Sequence, residues 1–357
     1  MNNPNIHIRG FKCFIDSQFE LNKITLLTGA NASGKSSVIQ ALLLLKSASD
    51  SVEPLSLIDL IDRRYAFDFG ESDLLINNEL KTDEVSISIL GEGTMTFDGE
   101  HQNSILKLLV GIDQLEDLKA FFANGLTYFC AERQGPRYNY IRKVGENNDC
   151  GCHGDNTGNV IFDNWNTRIA GRRLLKQTDD EVFFNIALDS WVDYIFPGIV
   201  VRIQPVGSQI YQVIVRDKFH NFPTNSTNIG FGISYALPIV VGSLLAKDGG
   251  WLVVENPEAH IHAKAQSNMG YFLGTMASAG LRVLVETHSE HIVNGIRRAA
   301  IVGRRLKPED VNIYFFKGKS ESALIKMDDK GNLSDFPVDF FDQSRQDMLE
   351  IINKTQE

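Results

Sequence analysis

The residues best suited to chemistry form a glycine-rich stretch near the start of the chain. Residues 29–36 read GANASGKS, fit the motif G-x-x-x-x-G-K-[ST], and lie between an apolar strand and an apolar helix. In this setting the backbone N–H groups bind phosphate oxygens, Lys35 reaches the β- and γ-phosphates, and Ser36 ligates Mg²⁺. The motif therefore predicts a nucleotide site. The residues expected to line it are Asn31, Ala32, Ser33, Gly34, Lys35, Ser36 and Ser37.

A second stretch, WLVVENPEAHIH at 251–262, reads as a buried strand that ends in acidic residues. We expect this strand to lie beside the strand before the glycine-rich loop, which would place Glu255 next to the Mg²⁺ on Ser36. Nucleotide hydrolases carry a water-activating glutamate one residue later, where this chain has Asn256. An amide can orient water but cannot take its proton as a carboxylate can. Hydrolysis is therefore predicted to be slow, either with Asn256 positioning water or with Glu258 as the base.

Glu258 also has a simpler interpretation, as a helix-start residue that complements the helix dipole. A third stretch, LRVLVETHSEH at 281–291, reads as a strand that delivers His288 to a strand end. A strand-end histidine can be purely structural, but beside the first two motifs it is predicted to sense the γ-phosphate. The spacing of Thr287 and Glu290 predicts a capping box for the next helix.

A fourth stretch, GFGIS at 230–234, opens an apolar helix with two glycines. A glycine turn with a free helix N-terminus is a second phosphate cradle. Because one chain needs only one such cradle, this glycine turn is predicted to serve the nucleotide of another subunit.

The composition limits the possible partners. The chain has 357 residues, 43% of them hydrophobic, and a formal net charge of −10. This charge argues against a broadly basic surface for nucleic acid or membrane, although a local basic groove remains possible. The four cysteines lack Cys-x-x-Cys spacing and predict neither a disulfide framework nor zinc, and the histidines show no HExxH motif. No signal segment or membrane span is apparent, so a cytoplasmic location is expected.

Periodicity gives a coarse plan of the chain. Strands fill 5–29, a helix is expected over 102–124, a hairpin turns near Gly207, and the C-terminal region contains a β-hairpin followed by an amphipathic helix at 339–354. Alternation of strand and helix after residue 230 predicts a parallel sheet. The predicted regions are 1–50 with the phosphate loop, 51–227 as a β and helical insertion, 228–300 with the three later motifs, and 301–357 with the hairpin and helix.

These motifs, in this order, resemble the ATP-binding cassette class, specifically the SMC/RecF-like branch whose chains open with a strand like IHIRGFKCF. The stretches VENPEAHIHAKAQS, VETHSEHIVNGIRRA, GFGISYALPIV and FFDQSRQDMLEI further resemble a family of bacterial predicted ATPases. That family is related to the ATPase half of OLD-family nucleases and to PtuA of Septu-type anti-phage systems.

The resemblance implies an α/β fold of the P-loop NTPase type. It implies a single ABC-type ATPase head over 1–357, with a mainly parallel core sheet, an antiparallel β subdomain and a helical signature subdomain. It also implies that Lys35 and Ser36 hold ATP and Mg²⁺, with Glu255 supporting the metal and His288 sensing the γ-phosphate. Gly232 and Ser234 would act in trans across a head-to-tail homodimer that encloses two ATPs. Gln40 and Gln134 are candidates for the glutamine loop.

The function predicted from this resemblance is a dimeric ATPase switch, able to form higher oligomers, that regulates an effector such as a nuclease in anti-phage defence. Asp328 and Asp329 lie in a predicted DKG turn, so the chain is not expected to be a nuclease itself, and nucleic acid would be reached through the partner. The alternative is a DNA-repair or chromosome-organising head of the RecF or SMC type that acts on DNA directly. A transporter subunit is a third interpretation, and would require a membrane partner.

Overall fold

The computed structural model describes residues 3–50, 57–62, 64–69, 72–80, 84–89, 93–98, 105–109, 112–137, 139–141, 148–217, 223–225, 231–318 and 321–355. The strands are β1 (Asn5–Phe11), β2 (Phe14–Glu20), β3 (Ile24–Gly29), β4 (Leu57–Asp59), β5 (Ile61–Asp62), β6 (Phe67–Asp68), β7 (Glu84–Ile89), β8 (Gly93–Asp98), β9 (Ile105–Leu109), β10 (Leu126–Phe129), β11 (Tyr140–Ile141), β12 (Arg168–Ile169), β13 (Val182–Phe183), β14 (Ile199–Val206), β15 (Ile210–Asp217), β16 (Pro223–Asn225), β17 (Trp251–Glu255), β18 (Arg282–Glu286), β19 (Val311–Gly318) and β20 (Glu321–Ile325). The helices are α1 (Lys35–Ser49), α2 (Ile112–Phe121), α3 (Thr157–Asp163), α4 (Phe184–Ile195), α5 (Phe231–Leu245), α6 (Ala263–Ser278), α7 (Glu290–Ile301) and α8 (Gln343–Thr355).

A central sheet carries the predicted motifs. Its strand order is β10-β17-β18-β3-β19-β20, and all neighbouring pairs are parallel except the β19–β20 hairpin. Its middle strands are continuous apolar runs, as expected for strands that are buried on both faces. Because the strands are parallel, the carboxyl ends of β3, β17 and β18 meet at one edge of the sheet.

The prediction that the acidic strand lies beside the phosphate-loop strand is wrong. Strand β18 pairs with both β17 and β3, and so separates them. The three strands have similar apolar sequences, so their pattern carries no information about which of them are neighbours. The consequence is that Glu286, the last residue of β18, lies between the phosphate loop and Glu255.

A second sheet is antiparallel and covers the other side of α1. Its order is β2-β1-β7-β8-β9-β4. Helix α1 is apolar nearly all round because it is buried between the two sheets, where Leu42 to Leu45 are at most 1% exposed. Each such leucine contributes about 1.5–3 kcal/mol of burial free energy. This packing fixes the start of α1, and therefore Lys35 and Ser36, against the central sheet.

Several local predictions can be compared with these elements. The hairpin of β14 and β15 turns at Gly207, whose φ is 67°, as predicted. The terminal β19–β20 hairpin is also present, and α8 (Gln343–Thr355) overlaps the amphipathic helix predicted at 339–354. The prediction of one helix over 102–124 is wrong, because Ile105–Leu109 pairs with β8 as a strand and only Ile112–Phe121 is helical. Within the described ranges, no helix is both long enough and apolar enough to cross a membrane.

Candidate functional site

The phosphate loop joins β3 to α1, and two of its glycines are required by its backbone. Gly29 has φ 127° and Gly34 has φ 108°, both in the region that favours glycine. A Cβ on Gly29 would collide with the Phe316 carbonyl, and one on Gly34 would lie 2.8 Å from the Cys13 sulfur. The motif therefore reflects a backbone path that packs against β19 and the β1–β2 turn, with α1 starting immediately after it.

Lys35 and Ser36, the first residues of α1, point toward the strand ends. The Lys35 ammonium group donates to the carbonyls of Gly29 (3.2 Å) and Ala30 (2.5 Å), and its Nζ lies 4.0 Å from Glu286 Oε1. The Ser36 hydroxyl donates to the same carboxylate at 3.0 Å. A lysine and a hydroxyl at the start of a helix can hold the terminal phosphates of a nucleotide and a metal ion.

Two carboxylates face this loop. Glu255 and Glu286 are register partners at the ends of β17 and β18. Glu255 accepts hydrogen bonds from the Tyr128 hydroxyl (2.9 Å) and the Ala131 backbone N–H (3.2 Å), while Glu286 accepts from Ser36. Sequence reasoning missed Glu286. The signal that could have found it is the parallel strand itself, since every strand of such a sheet ends at the same edge.

Burial raises the pKa values of both acids. Burial, reinforced by the charge of Glu255, raises the pKa of Glu286 to about 7, and burial also raises the pKa of Glu255. Glu286 Oε2 is buried and has no hydrogen-bond partner among the described residues. An uncompensated buried carboxylate is costly unless a cation neutralises it. Carboxylate and hydroxyl oxygens are the ligands that Mg²⁺ prefers, so the donor set of Ser36, Glu255 and Glu286 fits that ion.

Asn256 has a strained backbone and a free side-chain oxygen. Its φ is 44°, a left-handed conformation that asparagine tolerates better than most residues. Its N–H donates to the Glu286 carbonyl at 2.9 Å, and its Oδ1 is buried with no partner among the described residues. The residue lines the same cavity as the phosphate loop. An amide held there can orient a water molecule, whereas it cannot accept a proton as a carboxylate does.

Glu258 is engaged elsewhere. Its carboxylate accepts from the Thr287 hydroxyl at 2.8 Å and from the His288 backbone N–H at 2.7 Å. These bonds tie the turn after β17 to the end of β18. The predicted capping box is wrong, because Ser289 is the N-cap of α7 and accepts from the N–H groups of His291 and Ile292. Instead, the Thr287 hydroxyl donates to the Glu258 carboxylate and accepts from the backbone N–H of Ser289.

His288 lies at the mouth of the site. Its side chain is exposed and lines the cavity that the phosphate loop, Glu255, Asn256 and Glu286 also line, with a volume of about 460 Å³. Partial burial and the positive charge of Lys35 lower the pKa of His288. At neutral pH its ring therefore favours the uncharged form, able both to donate and to accept a hydrogen bond.

Arg133 is a second residue that sequence reasoning missed. Its guanidinium is buried, 3% exposed, and donates to the backbone carbonyls of Glu255 (2.6 Å) and Asn256 (2.6 Å). It also donates to the carbonyls of Cys130 (2.7 Å) and Tyr235 (3.0 Å), the latter in α5. Arg133 thus joins the acidic strand end, the loop after β10 and the helix that the glycine turn was predicted to open.

The structure does not bring every predicted residue into this cavity. Gly232, Ser234 and Glu258 do not line it, and Gly232 packs instead against the His260 carbonyl and Ile261. Of the two glutamine candidates, Gln40 lines the cavity and accepts from Lys12 at 2.7 Å. Gln134 is not among its lining residues. The roles assigned from the sequence stay predictions.

A parallel sheet with a glycine-rich loop, a helix start and two carboxylates at its carboxyl edge defines a P-loop nucleotide-binding class of protein. Residues 1–136 and 156–293 match the family described as AAA ATPase domain, and the chain belongs to that family. Residues 306–351, which include β19, β20 and most of α8, match a family described as Protein of unknown function (DUF3696). No curated protein matches the chain.

Solved SMC heads share this fold at low sequence identity. The SMC head domain from Thermotoga maritima matches with a TM-score of 0.46 and 13% identity, covering 92% of this chain and 100% of that one. An SMC head bound to the C-winged helix domain of ScpA matches with a TM-score of 0.53 and 12% identity, covering 97% of this chain and 100% of that one. An SMC head with an extended coiled coil, bound to the C-terminal domain of ScpA derived from Pyrococcus furiosus, matches with a TM-score of 0.50 and 11% identity, covering 99% of each chain. The family match and the two SMC heads with TM-scores of 0.53 and 0.50 confirm the predicted ATPase-head fold.

Proposed function

We propose that this chain is a dimeric switch that binds ATP with Mg²⁺, hydrolyses it slowly, and in its closed state regulates a partner effector such as a nuclease in anti-phage defence. The observation that carries the nucleotide site is the contact of Lys35 and Ser36 with Glu286 beneath a glycine loop. Membership of the AAA ATPase domain family supports ATP as the nucleotide. The relation to OLD-family and Septu ATPases stays a prediction.

The residues of the cavity suit the hydrolysis of a terminal phosphate. Lys35 and the loop N–H groups would hold the β- and γ-phosphates, and Ser36, Glu255 and Glu286 would hold the metal, which when bound neutralises phosphate charge. Asn256, with its free Oδ1, would orient the attacking water, while His288 would contact the γ-phosphate from the mouth. With no carboxylate at position 256, proton removal depends on the phosphate itself or on solvent, so turnover is slow.

The placement of Gly232 and Ser234 favours action across a dimer. Both lie at the start of α5 and away from the cavity of their own chain. Phe231, the first residue of that helix, is 55% exposed, so the helix start is accessible to a second copy. Arg133 connects α5 to the strand that ends in Glu255, which provides a physical link between the two surfaces.

Mixing two inactive variants tests this arrangement. Lys35→Ala removes nucleotide binding in cis, and Ser234→Arg blocks the predicted contact in trans, so each alone should show little ATP turnover. An equimolar mixture should regain activity, because heterodimers contain one site with an intact Lys35 and an intact Ser234. Ser278→Arg, a substitution at the far end of α6, is the matched control and should leave turnover unchanged. Failure of the mixture to recover would contradict action in trans.

The effector is tested by purifying the full-length chain from its native host with its bound proteins. Recovery of a nuclease whose cleavage depends on ATP and on Lys35 supports the proposal. Direct action on DNA is the second candidate function, favoured by the similarity of fold to SMC heads. It predicts ATP-dependent DNA binding by the purified chain that weakens steeply with salt. DNA binding at physiological salt without any partner would favour that second function.

A further inference from the structure

A cluster of two cysteines and one histidine lies beside the candidate nucleotide site. Cys130 follows β10, and Cys152 and His153 lie in the loop before α3. Their two sulfurs and the His153 Nδ1 all lie within 4.8 Å of one another. No other group of three or more such ligands meets this criterion among the described residues. The sequence predicted no zinc site because the four cysteines lack Cys-x-x-Cys spacing, whereas the fold brings together Cys130 and Cys152, which are 22 residues apart in the chain.

Backbone hydrogen bonds hold the two segments together. The Cys130 N–H donates to the Cys152 carbonyl at 3.1 Å, and the Gln134 N–H donates to the His153 carbonyl at 2.8 Å. The proximity of the ligands is therefore built into the main chain. Both cysteines are buried, each 5% exposed.

The distances between the ligand atoms are close to those of a tetrahedral metal site. Cys130 Sγ lies 3.2 Å from His153 Nδ1. Zinc binds cysteine sulfur at about 2.3 Å and histidine nitrogen at about 2.0–2.1 Å, so tetrahedral ligands lie roughly 3.5–3.8 Å apart. Thiolate and imidazole are soft ligands that select zinc over Mg²⁺.

A fourth coordination position is accessible. Cys130 and His153 line a cavity of about 280 Å³, together with Glu132, Gln40 and Glu255. The Glu132 carbonyl accepts hydrogen bonds from His153 Nδ1 at 2.6 Å and from Cys130 Sγ at 3.4 Å. Zinc binding replaces both bonds, with the ring proton of His153 placed on Nε2. Water, this carbonyl or the Glu132 carboxylate can therefore complete a tetrahedral set.

We propose that Cys130, Cys152 and His153 bind one zinc ion, in a site distinct from the Mg²⁺ site. This proposal does not depend on the proposed ATPase function. Binding releases the thiol protons to solvent, with no change in oxidation state. The ion would anchor the loop of residues 130–134. In this loop the Ala131 N–H donates to the Glu255 carboxylate, and the Arg133 guanidinium donates to the Asn256 carbonyl. Zinc therefore acts as a positioning element for the acidic strand end.

The test uses the full-length chain, purified in reducing buffer without chelator. We expect one zinc per chain by elemental analysis. After metal removal, added Co²⁺ should give the visible bands of a tetrahedral ion and a near-ultraviolet band from thiolate-to-cobalt charge transfer. Cys130→Ser and Cys152→Ser should each weaken this charge-transfer band, and the double variant should abolish it. Cys150→Ser is the matched control, because Cys150 is buried in the same loop but lies outside the cluster.

Two results would overturn the proposal. One is a wild-type chain that holds no more zinc than the double variant and shows no cobalt–thiolate band. The other concerns the metal-free chain. If oxygen oxidises Cys130 and Cys152 to a disulfide, and the chain still binds no zinc after this disulfide is reduced, the pair would be a redox couple. The wild-type cobalt spectrum does not depend on any variant, so the proposal remains testable if a substituted chain fails to fold.

Discussion

Ser36 and Glu286 are joined by a hydrogen bond of 3.0 Å between the serine hydroxyl and Oε1 of the glutamate, although 250 residues separate them in the chain. The bond brings the carboxyl end of β18 against the start of α1. In a P-loop site the serine at this position ligates Mg²⁺. Glu286 therefore lies where it can bind that ion directly or orient its ligands, a position that the sequence had assigned to Glu255 alone.

Glu286→Gln should weaken Mg²⁺ binding. The amide can still accept from Ser36, but it removes one negative charge from the metal site. We expect the Mg²⁺ concentration for half-maximal ATP turnover to rise by about tenfold, or roughly 1.4 kcal/mol. A titration of turnover with Mg²⁺ measures this. Glu116→Gln, an exposed residue paired with Lys119, is the control. An unchanged Mg²⁺ requirement in Glu286→Gln would remove Glu286 from the metal site.

Glu286 also predicts how the stability of the metal-free chain depends on pH. Its pKa is about 7 in the folded chain against 4.5 for the ordinary group, so between these values the folded state holds a proton that the unfolded state has lost. Stability should therefore fall as pH rises through this window, by on the order of 3 kcal/mol in total. Glu286→Gln should lack this loss. Chemical unfolding at a series of pH values from 4.5 to 8, without Mg²⁺, measures the free energy of unfolding. If that free energy changes with pH in the same way for the wild type and Glu286→Gln, the assignment to Glu286 is contradicted.

Asn256 and Glu258 can be separated by their effects on turnover. Glu258 is bound to Thr287 and His288, so Glu258→Gln should lower kcat by less than about tenfold, whereas loss of a general base costs roughly 10²–10⁴-fold. Asn256→Ala should lower kcat by about 10²-fold by leaving the water unoriented. Steady-state turnover at saturating Mg²⁺ and ATP compares them. A larger loss in Glu258→Gln than in Asn256→Ala would identify Glu258 as the base.

Arg133→Lys should destabilise the folded chain and lower its rate of ATP turnover. Lysine cannot reproduce the four hydrogen bonds of the guanidinium, and buried carbonyls would lose their donors. We expect a loss of about 2–4 kcal/mol in the free energy of unfolding and a lower kcat. Chemical denaturation measures the first. Arg168→Lys, at an exposed position, is the control. Wild-type stability in Arg133→Lys would show that these bonds are not needed.

What the sequence could predict here depended on distance along the chain. The phosphate loop is a continuous stretch of chain whose two glycines have backbone angles that favour glycine, so the motif located Lys35 and Ser36. The order of β3, β17 and β18 depends on pairing between distant apolar strands, which no local pattern encodes. Glu286 was missed for that reason. Arg133 and the Cys130–Cys152–His153 cluster also depend on contacts between distant segments.

The most direct test of the account is the release of phosphate from ATP by the purified chain, compared with Lys35→Ala. Lys35 is buried at the start of α1 and faces Glu286, so its loss should abolish nucleotide binding. We predict Mg²⁺-dependent release at less than about 1 s⁻¹, below the usual range of enzyme turnover, and none above background in Lys35→Ala. Lys23→Ala, an exposed lysine paired with Asp310, should behave as the wild type. Equal phosphate release by the wild type and Lys35→Ala, or none by either, would contradict the account.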